Sequence, residues 1–348
     1  MFRSALTTVT FCLALLPMTS AQAEQETLTF DSDLLPYLKA DLLVKDSRAA
    51  LTELQTLKAL IAEQQNSAIP DWTPLQQSFN RLALDWKAVE AMYVAGDLDE
   101  NFLDHPRFID FYHQGNESIK DQVEMALASD QPLKQALFKN SSRGINGLEI
   151  ILYSDAQLTG DAAVRRLQAA EIARANIEGW MYEIADFYES DTSFVKGGKA
   201  SLSLLVNRLI DSSYKLANWR VGEAAGLTPK TKGSLNPSSL EFPYAQLSHA
   251  SIERILNTHA RVIKNDAALD LMSVGKLAGV GKDMAFLVTR IQAAQSALNA
   301  VPAPLVDQIE TPEYKTLFNQ LAMLQNAYYF MLINSLNLEA RILDADGD

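Results

Sequence analysis

The chain has 348 residues, a formal net charge of −13 and a single cysteine. An acidic chain without a basic tract is a poor nucleic-acid binder and gains nothing from an anionic lipid surface. With Cys12 alone, neither an intrachain disulfide nor a multi-thiolate metal site is available.

Residues 1–23 read as a signal peptide. Arg3 gives the positive start, 5–16 form a short, mostly apolar stretch, and Ala21-Gln22-Ala23 is a small-x-small cleavage signal, so the mature chain is expected to begin at Glu24. Cys12 lies inside that stretch with no lipobox around it, and a lipid anchor is not expected. No later apolar run reaches the ~20 residues that span a bilayer. The expectation is a soluble, exported protein, periplasmic in a Gram-negative cell, with no transmembrane segment.

Beyond the signal, apolar residues recur at threes and fours almost throughout. Residues 34–64 carry Leu35, Leu38, Leu42, Leu43, Leu51, Leu54, Leu57 and Leu60. A second helix over about 74–95 carries Leu75, Phe79, Leu82, Trp86, Val89 and Tyr93. A third is expected to start at His105-Pro106 and run to about 128, with proline in its first turn. A fourth covers 144–149 and stops near Ser154-Asp155, a long fifth runs from 159 to about 188, and a sixth from about 200 to 216. The stretch 222–243 is rich in proline and glycine and reads as a long loop. Helices resume at about 245–265, 282–300 and 311–343, with a break at Val301-Pro302-Ala303-Pro304. Alternating β-type segments are missing. The fold is therefore expected to be all-α, with two packed helical-bundle domains at 30–158 and 159–343 and an acidic tail at 344–348.

The sharpest local feature is Gly144-Ile145-Asn146-Gly147-Leu148-Glu149, which runs on into Ile150-Ile151-Leu152-Tyr153. Asn146 and Glu149 are three apart and share a helix face. A carboxylate among Leu148, Ile151 and Leu152 is costly unless it is paired, protonated or bound to something. The pair reads either as an asparagine form of the capping box, with Ser141-Ser142 as a competing earlier cap, or as a ligand-facing site. Arg143 is placed to pair with Glu90 or Glu149. Glu90 interrupts the stripe Leu82, Trp86, Val89, Tyr93, and together with Glu149 it would offer two carboxylates to a hard cation or to acid–base chemistry. Trp86 reads as core. The four histidines, His105, His113, His249 and His259, form no His-Glu-x-x-His pattern, which counts against a zincin. Ser248-His249 reads as a helix start, and the closing Asp344-x-Asp346-x-Asp348 lacks the twelfth-position glutamate of an EF-hand.

Four segments in order resemble the imelysin family. The hexapeptide resembles its Gly-x-His-x-x-Glu motif, and Asp85 to Glu90 its Trp-x-x-x-Glu helix. Ser248-His249-Ala250-Ser251 resembles its paired-serine helix start, and 336–348 its closing Asp-Gly-Asp segment. The resemblance implies a periplasmic or surface-exposed protein of two helical bundles tied to iron uptake. It also carries an older peptidase assignment. The implied reading is a ligand or protein partner bound in an interdomain cleft lined by Asn146 and Glu149, with Arg143, Glu90, Trp86 and Ser248 around them. Iron is the implied cofactor or ligand, with Glu149 as its anchor. Alternatives are a carboxylate- or metal-dependent hydrolase, or a helical adaptor for an outer-membrane receptor or other envelope protein. Asn146 stands where the family has histidine, and asparagine is a poor transition-metal ligand and no general base. That departure weakens the iron and enzyme readings alike.

Overall fold

The computed structural model describes residues 34–340 apart from 116, 155–157 and 265–268. The expected signal peptide and the acidic tail lie outside the described residues. Those residues are helical with no strand among them. In chain order the helices are α1 (Leu35–Leu38), α2 (Lys45–Gln65), α3 (Thr73–Ala91), α4 (Ala95–Leu98), α5 (His105–Ile109), α6 (Ile119–Ala128), α7 (Leu133–Ala136), α8 (Asn140–Arg143) and α9 (Ile145–Tyr153). They continue with α10 (Gly160–Ser190), α11 (Ser193–Lys196), α12 (Lys199–Lys215), α13 (Ser248–Ile263), α14 (Leu271–Leu277), α15 (Gly281–Asn299), α16 (Pro312–Ala327) and α17 (Ile333–Ser335). Three π-helical turns, at Lys39–Val44, Leu216–Gly222 and Tyr328–Leu332, extend α1, α12 and α16 without a break.

The apolar periods explain the packing. Leu51, Leu54, Leu57 and Ile61 of α2 are buried, as are Leu75, Phe79, Leu82, Trp86 and Val89 of α3, where Pro74 sits in the first turn. The long α10 buries small residues, Ala163, Ala170, Ala173 and Ala185, between Leu167, Ile177, Met181 and Ile184. These let it lie close to its neighbours. Helices α2, α3, α9 and α10 pack together as one bundle, α12 to α16 as a second, and α3 meets α13 where the two bundles join. Helix α10, expected to open the second bundle, packs on α2 and α9 of the first.

Three expectations need correction. The helix expected from His105 to 128 stops at Ile109, because Asp110 turns extended (φ −131°, ψ 118°), and α6 starts afresh under a Ser118 cap. The motif helix begins at Ile145, after Gly144 separates it from α8. A helix at Leu271–Leu277, capped by the Asp270 carboxylate, lies where no helix was expected. The irregular 223–247 connection holds only a short 3₁₀ turn, Pro237–Ser239.

Candidate functional site

Helix α9 sits at the junction, and close approach explains its glycines. A Cβ on Gly144 would lie 2.7 Å from the Ile109 carbonyl oxygen, and one on Gly147 would lie 2.3 Å from the Ser142 carbonyl oxygen. Brought in this tightly, the two polar side chains of the motif reach backbone far away in sequence. The Asn146 Oδ1 accepts the Phe111 N–H at 2.7 Å. The Glu149 Oε1 accepts the N–H groups of Tyr244 and Ala245, both at 2.9 Å. The pair is therefore not a capping box, for α9 has no side-chain cap. Nor does Glu149 face an open cleft: it is 2% exposed, beneath the end of the 223–247 connection. Burial raises its pKa to about 8, helped by the Glu241 and Asp110 charges and opposed by the two amides.

Next to this clamp lies a network of five charges. The Lys87 ammonium is completely buried and donates to Glu241 Oε1 at 2.5 Å, Asp110 Oδ2 at 2.6 Å and Glu90 Oε2 at 2.8 Å. Arg220, on the π turn after α12, donates from Nε to Glu241 Oε2 at 3.0 Å and from Nη2 to Glu90 Oε2 at 2.8 Å. The Trp86 indole donates to Asp110 Oδ2 at 2.8 Å, and the Tyr112 N–H donates to Asp110 Oδ1 at 2.8 Å. Burial alone would depress the Lys87 pKa, but the carboxylates of Asp110, Glu241 and Glu90 outweigh it and hold it above the ordinary lysine value. Burial likewise works against the Glu90 charge, and Arg220 and Lys87 reverse that and hold its pKa well below the carboxylate range. The Phe242 ring closes the network, with Lys87 Nζ 5.3 Å from its centroid and the Phe79 ring edge-on at 5.9 Å.

Of the six residues singled out in the sequence, five meet here. Asn146 and Glu149 clamp backbone, and Trp86 and Glu90 join the ion network. Ser248 donates to the Glu241 carbonyl. Arg143 does not pair with Glu90 or Glu149; its guanidinium donates to the carbonyls of Leu137 and Phe138. Glu90 and Glu149 do not share a ligand either, since Glu90 is engaged by Lys87 and Arg220. Sequence reading missed Lys87, Asp110, Arg220 and Glu241 as site residues. Three of them carry the signal that flagged Glu149, a lone charge between apolar neighbours: Ile109-Asp110-Phe111, Trp219-Arg220-Val221 and Leu240-Glu241-Phe242.

The acids Glu90, Asp110 and Glu241 bring one carboxylate oxygen each within 4.8 Å of one another, a spacing that three ligands of one metal ion could have, with the Lys87 ammonium among them. Two surface grooves lie elsewhere. One of about 350 Å³ runs past Glu253, Asn257 and Gln295, and one of about 320 Å³ past Gln65, Leu133 and Glu171. The buried serine–histidine contact also differs from the adjacent pair in the sequence. It joins Ser212 Oγ to His259 Nε2 at 2.9 Å, while the His249 ring meets the Leu298 carbonyl. Among the described residues no helix is long and apolar enough to cross a membrane.

Comparison with known proteins places this architecture. The family model described as imelysin matches residues 40–327. The crystal structure of an imelysin-like protein from Psychrobacter arcticum 273-4 superposes with a TM-score of 0.74, at 16% identity, over 95% of this chain and 100% of that one. That of a "putative iron-regulated protein A precursor" from Parabacteroides distasonis ATCC 8503 gives a TM-score of 0.63, at 14% identity, over 89% and 94%. No curated protein matches the sequence.

Proposed function

The chain belongs to the imelysin family, and from that premise we propose that it is an exported protein serving iron acquisition, which engages its ligand or envelope partner through the 223–247 connection. The observation that carries this reading is the way the connection is held. Its end is anchored by Glu149, Glu241 and the buried Phe242, while 229–230 and 232–238 are exposed, including Leu235 at 49%. A long irregular segment fixed at its base by buried charge is the usual form of a binding element on a rigid scaffold. The structural relative titled "putative iron-regulated protein A precursor" supports the link to iron. Glu149 is ill placed for the hydrolase reading. A water-activating base needs a face open to substrate, and this carboxylate is buried and accepts two amides.

The test is growth of a gene-deleted strain under iron limitation. The expected result is slow growth restored by the wild-type gene and not by Leu235→Asp, whose exposed position leaves folding intact. Normal growth of the deletion strain would remove the iron reading. Full rescue by Leu235→Asp together with removal of 232–236 would remove the connection as the binding element.

A further inference from the structure

The proposed role in iron acquisition raises the question of whether the junction acids hold a metal ion, and this chain's residues do not fit one. The three carboxylate oxygens that could ligate an ion are already bridged by Lys87 Nζ at 2.5–2.8 Å. Carboxylate–cation bonds to Ca²⁺ or Mg²⁺ run about 2.0–2.6 Å, so an ion shared by these oxygens would fall on the ammonium itself. Arg220 takes further lone pairs of Glu90 and Glu241, and Trp86 and the Tyr112 amide take those of Asp110. No imidazole is supplied, and the Asn146 oxygen in the motif is committed to the Phe111 amide.

We propose that Lys87 is this protein's own cation at the junction: its ammonium stands where a metal ion would stand among Glu90, Asp110 and Glu241, and so holds the 223–247 connection closed without metal. The link to the connection is direct, because Glu241 belongs to it and meets both Lys87 and Arg220. The inference does not depend on what the connection binds.

Limited trypsin digestion of the full mature chain tests it, read at the exposed Lys230 and Lys232. Wild-type cleavage should be the same with EDTA, with Mn²⁺ and with Ca²⁺. Lys87→Met, of similar volume but without charge, should raise cleavage at these sites about tenfold, equivalent to about 1.4 kcal/mol of opening free energy. Mn²⁺ should then restore protection by entering the vacated acids. Metal-dependent cleavage of the wild type would overturn the proposal, as would wild-type-like cleavage of Lys87→Met. If Lys87→Met does not fold, manganese paramagnetic resonance on the wild type decides. Stoichiometric Mn²⁺ binding abolished by Glu241→Gln overturns the proposal, and no stoichiometric binding supports it.

Discussion

Replacing Glu149 with glutamine should make the protein more stable at alkaline pH and leave it nearly unchanged in mild acid. The folded carboxyl holds its proton up to about pH 8, against an ordinary value of 4.5. A carboxyl raised in this way contributes its full stability below pH 4.5. As the pH climbs, the unfolded chain ionises freely while the folded chain resists, and stability falls until the folded group also ionises near pH 8. The full gap corresponds to about 5 kcal/mol as an upper bound, and about 3 kcal/mol by pH 8.5 is the working expectation. Glutamine keeps an oxygen to accept the Tyr244 and Ala245 amides and never ionises. Chemical denaturation of both proteins at pH 5 and pH 8.5 checks this. Glu149→Gln should gain about 3 kcal/mol at the higher pH and lie within about 1 kcal/mol of wild type at the lower. Equal destabilisation at both pH values would refute the reasoning, because it would mean that the folded protein relies on the ionised carboxylate.

His259 supplies the opposite limb. Burial lowers its pKa from 6.5 to about 3, so its stability contribution is complete above pH 6.5 and lost as the pH falls toward 3. Together with Glu149 it predicts a plateau between about pH 4.5 and 6.5 in melting curves, and His259→Phe should flatten the acid side; an unchanged acid limb would sink the assignment. Gly147→Ala should cost about 1–3 kcal/mol by overpacking against the Ser142 carbonyl. The control Gly179→Ala, in the middle of α10 with open space around it, should instead stabilise by about 0.5–1 kcal/mol; urea titration separates the two.

The fold was legible because heptad-like stripes such as Leu75 to Val89 need only local spacing to announce a buried face. The breaks were less so. Within 105–128 only Gly115 and the Ser118 cap mark a break, and neither points to Asp110, whose buried partner Lys87 is on another helix. The candidate site was half legible for the same reason. Glu149 and Glu90 stand out as charges in apolar stripes, but their partners are fixed by chain crossings of 95 and 130 residues. One helix at a time, Lys87 reads as a flanking residue of Trp86, and only the folded junction gives it three carboxylates.

The π turn at Leu216–Gly222 has a consequence for reading relatives. Such a turn is a one-residue insertion absorbed inside a helix rather than in a loop. It turns everything after it by about 100° relative to a regular helix, and Arg220 reaches Glu90 and Glu241 from within the turn itself. Against a relative that lacks the turn, an alignment that allows gaps only in loops would set the residues that follow it one position out of step. Sequence comparison across this fold therefore has to permit a gap inside a helix wherever a relative lacks one of the three π turns found among the described residues.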